Sequence, residues 1–347
     1  MTKRAFVLGG TGLIGRAVGA AMAKTGWSVT AASRGTMNAP PEFGQLDIRL
    51  VHLDRDRDLD LRAAVGEVEV MIDVVPLAAK HAEQLIELDG QIGSLIAVSS
   101  SAVYADEAGK PLVHGGGRPA RDDPIPIDES QATLPPDDKT YAGQKVAVEH
   151  ALLTGQRAPV TIVRPACVYG PGDPEPREWY FVKRALDRRP YLILADRGFG
   201  RYHRVAAANV AQLVRLAAEQ PGTRVLNSGD AEVRSLLDIA RAVALLLEHE
   251  PIEVLLPGPP PVESVGATPW SVYRPFVLDM TAARDQLGYE DVCSFDTALE
   301  QTCEWLVDAS SGRESRAVFP TLGPQLFDYT DEDRFLSSLR ALSSDTA

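Results

Sequence analysis

Cysteine is scarce in this chain: three among 347 residues, Cys167, Cys293 and Cys303, odd in number and without a C-x-x-C pair. That excludes a disulfide framework and suits a reducing, cytoplasmic compartment. Long apolar runs are also missing, none approaching the roughly 18 residues that a membrane span requires. Neither a heptad nor an internal repeat is present. Positive charge is in deficit, with 35 Lys and Arg against 48 Asp and Glu and a formal net charge of -13. Affinity for DNA or RNA comes mainly from lysine and arginine on phosphates, so nucleic acid is an unfavourable partner. A secretory leader is not expected either. Lys3-Arg4 precede an apolar stretch, but five glycines among the first 19 residues and Arg16 interrupt it.

What is present is ordinary globular composition, 45% hydrophobic and 24% charged, at a length that fits one α/β core with a smaller appended lobe. Short β-branched or apolar runs at 4–8, 28–32, 48–53, 69–75, 93–99 and 159–164 alternate with helical spacing at 12–25, 58–65, 77–90 and 139–154. This βαβ rhythm predicts an α/β fold with a doubly wound parallel Rossmann sheet. The stretch from Ala105 to Lys139 breaks the rhythm with Gly115-Gly116-Gly117 and six prolines, and a loop of that length is usually functional or mobile. A second Pro-rich segment, Pro257 to Pro275, separates a helix-like run at 235–249 from a final helical pattern at 281–308. The polar, acidic tail 311–347 suggests no role.

The first strand runs into Gly9-Gly10-Thr11-Gly12-Leu13-Ile14-Gly15 and then an Ala-rich helix. Gly9 suits a tight turn, Gly12 close approach of a pyrophosphate, and Gly15 close packing of helix on strand. The helix N-terminus offers free N–H groups to the anion, so Gly9, Thr11, Gly12, Leu13, Ile14 and Gly15 are expected cofactor contacts. The second strand ends Ala32-Ser33-Arg34-Gly35. An acid at that place would bind the ribose hydroxyls of NAD; Arg34, beside Ser33, suits the 2′-phosphate of NADP, and Glu42 lies too far along.

Two further places hold the chemistry. One is Val98-Ser99-Ser100-Ser101-Ala102-Val103-Tyr104; the other is Tyr141-Ala142-Gly143-Gln144-Lys145. Four residues apart on a helix, Tyr141 and Lys145 project from one face. A phenol is a poor base at neutral pH unless a nearby cation favours phenolate, which Lys145 can supply. The Ser100 hydroxyl, at a strand's carboxyl end, can hold the substrate oxygen while hydride passes.

With these motifs the sequence resembles the extended short-chain dehydrogenase/reductase family, the NAD(P)-dependent epimerase/dehydratase group, over residues 4 to 308. The resemblance also rests on Arg164-Pro165-Ala166-Cys167-Val168-Tyr169-Gly170-Pro171-Gly172-Asp173, on Asn209-Val210-Ala211 and on the run Asp279 to Tyr289. It implies a Rossmann domain over 1–170, rejoined by 205–228. It implies a smaller C-terminal substrate lobe, mainly 171–204 and 229–310. It selects Ser100 as the catalytic hydroxyl and sets Asp54 and Arg55 near the adenine and Pro165 and Val168 beside the nicotinamide. Members commonly pair as homodimers. Dehydratases of the family place Asp-Glu after the catalytic hydroxyl, where this chain has Ser101-Ala102, so dehydration is not expected. Ser101, Arg201 and Arg274 are candidate substrate contacts, His203 reads as a structural histidine, and no metal site is expected.

The function implied is oxidation, reduction or epimerisation at a hydroxyl or keto carbon of a nucleotide sugar or related polar metabolite. A non-catalytic NADP-binding sensor and an RNA-binding relative are the alternatives. Retention of Tyr141 and Lys145 opposes the first and the acidic charge the second. Titration with both cofactors tests the Arg34 reading: NADPH is expected to bind more tightly than NADH, and the reverse order contradicts it.

Overall fold

The computed structural model describes residues 2–35, 39–57, 61–113, 126–262, 264–270, 275–311, 319, 322 and 324–344. Its strands are β1 Arg4–Leu8, β2 Ser28–Ser33, β3 Arg49–His52, β4 Val70–Asp73, β5 Leu95–Val98, β6 Val160–Pro165, β7 Cys167–Tyr169, β8 Tyr191–Leu194, β9 Arg204–Ala206, β10 Arg224–Ser228 and β11 Ile252–Leu255. The helices are α1 Leu13–Lys24, α2 Pro41–Gln45, α3 Leu61–Val65, α4 Ala79–Ile86, α5 Tyr141–Gly155, α6 Trp179–Leu186, α7 Ala207–Glu219, α8 Leu236–Leu246, α9 Thr281–Leu287, α10 Phe295–Ser310 and α11 Thr330–Ser344.

The chain divides into two compact units: Met1–Tyr169, His203–Ala231 and Phe276–Ser294 form the first, and Gly170–Tyr202, Glu232–Pro275 and Phe295–Ala347 the second. In the first, seven parallel strands lie in the order β10-β6-β5-β4-β1-β2-β3. This is the doubly wound α/β arrangement, and each of the six expected strands is in it. Strands such as β1, buried at every residue but the first, read as continuous apolar runs because helices cover both faces. On one face Phe6 and Leu8 of β1 join Leu61, Leu85, Val148 and Leu152 from α3, α4 and α5. On the other, α1 packs against α7. The register pairs Leu8 with both Ala32 and Asp73, and Asp73 with Ala97. The carboxyl ends of β1, β2, β4 and β5 therefore share one edge, where sheets of this kind bind ligands.

The helical pattern at 281–308 is interrupted. Gly288 takes the left-handed conformation at φ +64° and caps α9, and α10 begins only at Phe295. The intervening turn is held by buried Asn209 of α7, whose side chain accepts from the Val292 and Cys293 amides and donates to the Cys293 carbonyl. Residues 276–294 thus cluster with the sheet rather than with the rest of 229–310. The expected Gly115-Gly116-Gly117 stretch lies outside the described residues. The flanking parts of that loop are tied down, as where the Ile127 amide bonds the Val277 carbonyl.

The second unit is built on parallel β8 and β11 with α6, α8, α10 and α11. Phe181 stacks on Trp270, and Phe319 packs edge-on to Trp179 at 5.3 Å between ring centroids. The tail, without a role from sequence, supplies α11. Buried Glu332 bonds Arg184 of α6 at 2.8 Å, and Leu336 packs with Ile193 and Val265.

Candidate active site

The β1–α1 turn shows what each glycine is for. Gly9 has φ +77°, and a Cβ there would sit 2.8 Å from the Val74 side chain. A Cβ on Gly15 would overlap the Gly9 carbonyl oxygen and lie 2.8 Å from Gly10 Cα, so helix and strand touch through this residue. At Gly12 the nearest protein atom to an added Cβ is 3.5 Å away, an ordinary contact. Internal packing therefore does not demand glycine at position 12. Gly12 is also the N-cap of α1, which has no side-chain cap, and so the amides of the first turn face outward. Open space over uncapped N–H groups fits a phosphate group. Thr11 is buried, with Leu13 and Ile14 half-buried.

At the end of β2 the Ser33 hydroxyl accepts from the Gly35 amide at 3.3 Å, and Arg34 is exposed. Asp54 accepts from the Asp56 amide and lies 3.7 Å from Arg57. Its neighbour Arg55 points inward. Only 8% exposed, it forms an ion pair with Asp73 at the end of β4, and it donates to the Gln84 side chain at 2.9 Å and the His81 carbonyl at 3.0 Å.

α5 begins at Tyr141 because Thr140 caps it, accepting from the Gly143 amide at 3.0 Å. Asp137 in turn accepts from the Thr140 and Lys139 amides and the Thr140 hydroxyl, which holds its carboxyl below the usual range. A Cβ on Gly143 would overlap that carboxylate, so Tyr141-Ala142-Gly143 reflects the cap as well as the chemistry. Tyr141 exposes 53% of its surface. Burial pushes the phenol's pKa up, and the Ser100 side chain beside it acts in the opposite direction. Lys145 is 3% exposed and donates to the Val98 carbonyl at 2.9 Å, its Nζ 5.7 Å from the Tyr141 ring centroid. Burial pulls the Lys145 pKa down to about 8. Ser100 accepts from the Ala102 amide at 3.2 Å, capping the short helical turn that begins at buried Ser101. Ser100, Tyr141 and Lys145 therefore meet at the carboxyl end of β5. The phenol's pKa is raised rather than lowered, and the ammonium bonds to backbone rather than to the phenol.

Residues 5–229 match the model of the NAD dependent epimerase/dehydratase family. The chain belongs to that family. A curated relative, the chloroplast stem-loop binding protein of 41 kDa b of Arabidopsis thaliana, is 26% identical over 200 residues, 54% of this chain and 48% of the relative. The chain thus spans about half of that relative's length. Among solved structures, UDP-N-acetylglucosamine 4-epimerase from Bacillus cereus superposes with a TM-score of 0.67 at 17% identity, covering 87% of this chain and 99% of that one. For dTDP-glucose 4,6-dehydratase from Bacillus anthracis in complex with NAD the values are 0.65, 17%, 89% and 98%. For MoeE5 in complex with UDP-glucose and NAD they are 0.65, 18%, 89% and 100%. These likenesses establish an epimerase-type Rossmann fold.

As an epimerase/dehydratase family member, the chain carries its other expected residues in varied settings. Pro165 is buried at the end of β6 and Val168 half-buried in β7. Arg201 is exposed in the second unit, and Arg274 lies outside the described residues. His203 is structural: Nε2 bonds the Asp230 carbonyl, Nδ1 accepts from the Leu278 amide, and burial lowers its pKa. Sequence reasoning missed Asp73 and Glu149, both buried. The spacing of Glu149, four residues after Lys145, was an available signal.

The glycine geometry separates two substitutions. Gly12→Ala is expected to leave unfolding stability within about 1 kcal/mol and to weaken dinucleotide binding at least tenfold, whereas Gly15→Ala costs roughly 3 kcal/mol by forced overlap. Denaturant unfolding with cofactor titration checks both. Equal destabilisation by the two variants contradicts the assignment.

Proposed function

We propose that the chain is a nicotinamide-dinucleotide-dependent enzyme that oxidises and reduces a hydroxyl or keto carbon of a nucleotide sugar or related polar metabolite, as an epimerase or reductase. The observation that carries this reading is the meeting of Ser100, Tyr141 and Lys145 at the end of β5, two strands from the glycine turn of β1.

A bound nicotinamide ring supplies the hydride donor or acceptor. Tyr141 exchanges a proton with the substrate oxygen, Ser100 holds that oxygen, and Lys145 supplies positive potential that stabilises phenolate. Because desolvation raises the phenol's pKa, Tyr141 stands ready as a neutral acid toward a keto oxygen. Taking a proton from an alcohol calls on the Lys145 charge. Gly9, Thr11, Gly12, Leu13, Ile14 and Gly15 would cradle the phosphates, with Ser33 and Arg34 on the ribose and Asp54 toward the adenine. Pro165 and Val168 would border the nicotinamide. Arg55 serves this reading indirectly, by fixing Asp73.

Exposed Arg34 favours NADP, although the solved relatives' names carry NAD. Those names also carry UDP- and dTDP-sugars, which supports a nucleotide sugar as substrate, with the second unit as substrate lobe; Arg201 in that unit and Ser101 in the first unit are the candidate substrate residues. The Arabidopsis relative's name carries stem-loop binding. A net charge of -13 opposes that activity here, so nucleic acid is not part of the proposal. A cytoplasmic homodimer completes it, and among the described residues no helix is long and apolar enough to cross a membrane.

Tyr141→Phe removes only the proton-transfer group. The expected outcome is NADPH affinity within about twofold of the parent and turnover reduced at least ~100-fold, on whichever of a panel of UDP- and dTDP-sugars the parent converts. Turnover at the parental rate contradicts the role of Tyr141, and a parent that converts no member of the panel contradicts the substrate class.

A further inference from the structure

Among the described residues Lys145 makes a single hydrogen bond, to a carbonyl that carries only partial charge. The rest of what keeps its ammonium charged must come from farther away. Two buried carboxylates supply it. Glu149 follows Lys145 by one turn of α5 and Tyr141 by two, so all three lie along one stripe of the helix. Arg164 of β6 grips Glu149 with both ends of its guanidinium, Nε to Oε1 at 3.1 Å and Nη2 to Oε2 at 2.6 Å. Asp73, fully buried at the end of β4, is held at one oxygen by Arg55 Nη1 and at the other by the Val75 amide, which donates at 2.9 Å. Glu149 thus shares the α5 stripe with Lys145 and Tyr141, and Asp73 ends β4, the strand paired with the β5 whose Val98 carbonyl holds Lys145, with Arg55 and Arg164 standing behind the carboxylates.

We propose that Asp73 and Glu149 are positioning residues of this site, acting through Lys145: their fixed charges keep its ammonium protonated while their arginines stop either carboxylate from swinging in and drawing it away from Val98 and Tyr141. The proposal rests on the role given to Lys145 above. Both carboxylates favour the charged lysine, against a burial that leaves it only about one unit above neutrality, at about 8. Removing either charge reduces that margin.

The test follows Lys145 itself. In full-length protein with 15N-labelled lysine, the Nζ signal is titrated with pH in the parent, Glu149→Gln, Asp73→Asn and Glu149→Asp. Each neutralising variant is expected to lower the Lys145 midpoint by about one unit, a tenfold loss of proton affinity. Glu149→Asp, which keeps the charge, stays near the parent. Parental midpoints in both neutralised variants overturn the proposal. Should Asp73→Asn fail to fold, Glu149→Gln decides alone, because its amide oxygen still accepts from Arg164. This readout needs no turnover. An active Tyr141→Phe variant would sink the catalytic reading and leave this result standing, and unmoved midpoints would sink this proposal while leaving Tyr141 its role.

Discussion

An ammonium group removed from water is costly, and in this protein Lys145 is kept there by a carbonyl at 2.9 Å and two carboxylates that are each bound to an arginine. A fall from the ordinary lysine value of 10.5 to about 8 corresponds to something on the order of 3 kcal/mol of destabilisation at neutral pH. No gain in packing needs that cation, since an apolar side chain of the same length would fill the space. Proteins tolerate such costs mainly where the charge is used. The arrangement at the ends of β4, β5 and β6 is best understood as the support of one charged group beside one phenol.

That support depends on strand register more than on the site residues. Leu8 pairs with Asp73 and Asp73 with Ala97, so the glycine turn, the Asp73 carboxylate and the serines after Val98 fall on one edge without any loop reaching across. α5 is then fixed at its start by the Asp137–Thr140 cap and in its middle by Glu149 on Arg164. With both points held, the helix cannot rotate, and Tyr141 and Lys145 face the same edge.

Much of this was legible in the sequence, and the reasons for the remainder are specific. Six of the sheet's seven strands and the spaced glycines were visible, because buried parallel strands such as β1 read as apolar runs and because Gly9 and Gly15 answer to backbone geometry; β10, Arg224-Val225-Leu226-Asn227-Ser228, carries polar residues and was missed. Tyr141 and Lys145 declared themselves by helical spacing. Arg55 did not, since an arginine after a strand reads as a surface or ligand-binding residue; its partner Asp73 is 18 positions on, and the pairing exists only once β4 is in place. The three-residue strands β7 and β9 are too short for any periodicity to register. α11 docks through Glu332 and Asp333 on arginines as much as through Leu336, so a search for an apolar stripe passes over it.

The most direct measurement of the central claim compares the unfolding free energy of the parent with that of Lys145→Met across pH. The lysine's folded pKa lies below its unfolded value. Its cost is therefore full below about pH 8 and fades as pH rises toward 10.5, where the unfolded chain also loses the proton. The account predicts a variant more stable than the parent by about 2 kcal/mol at pH 7, with the advantage shrinking steadily above pH 8. A variant no more stable than the parent at neutral pH, or an advantage that does not change with pH, would contradict it.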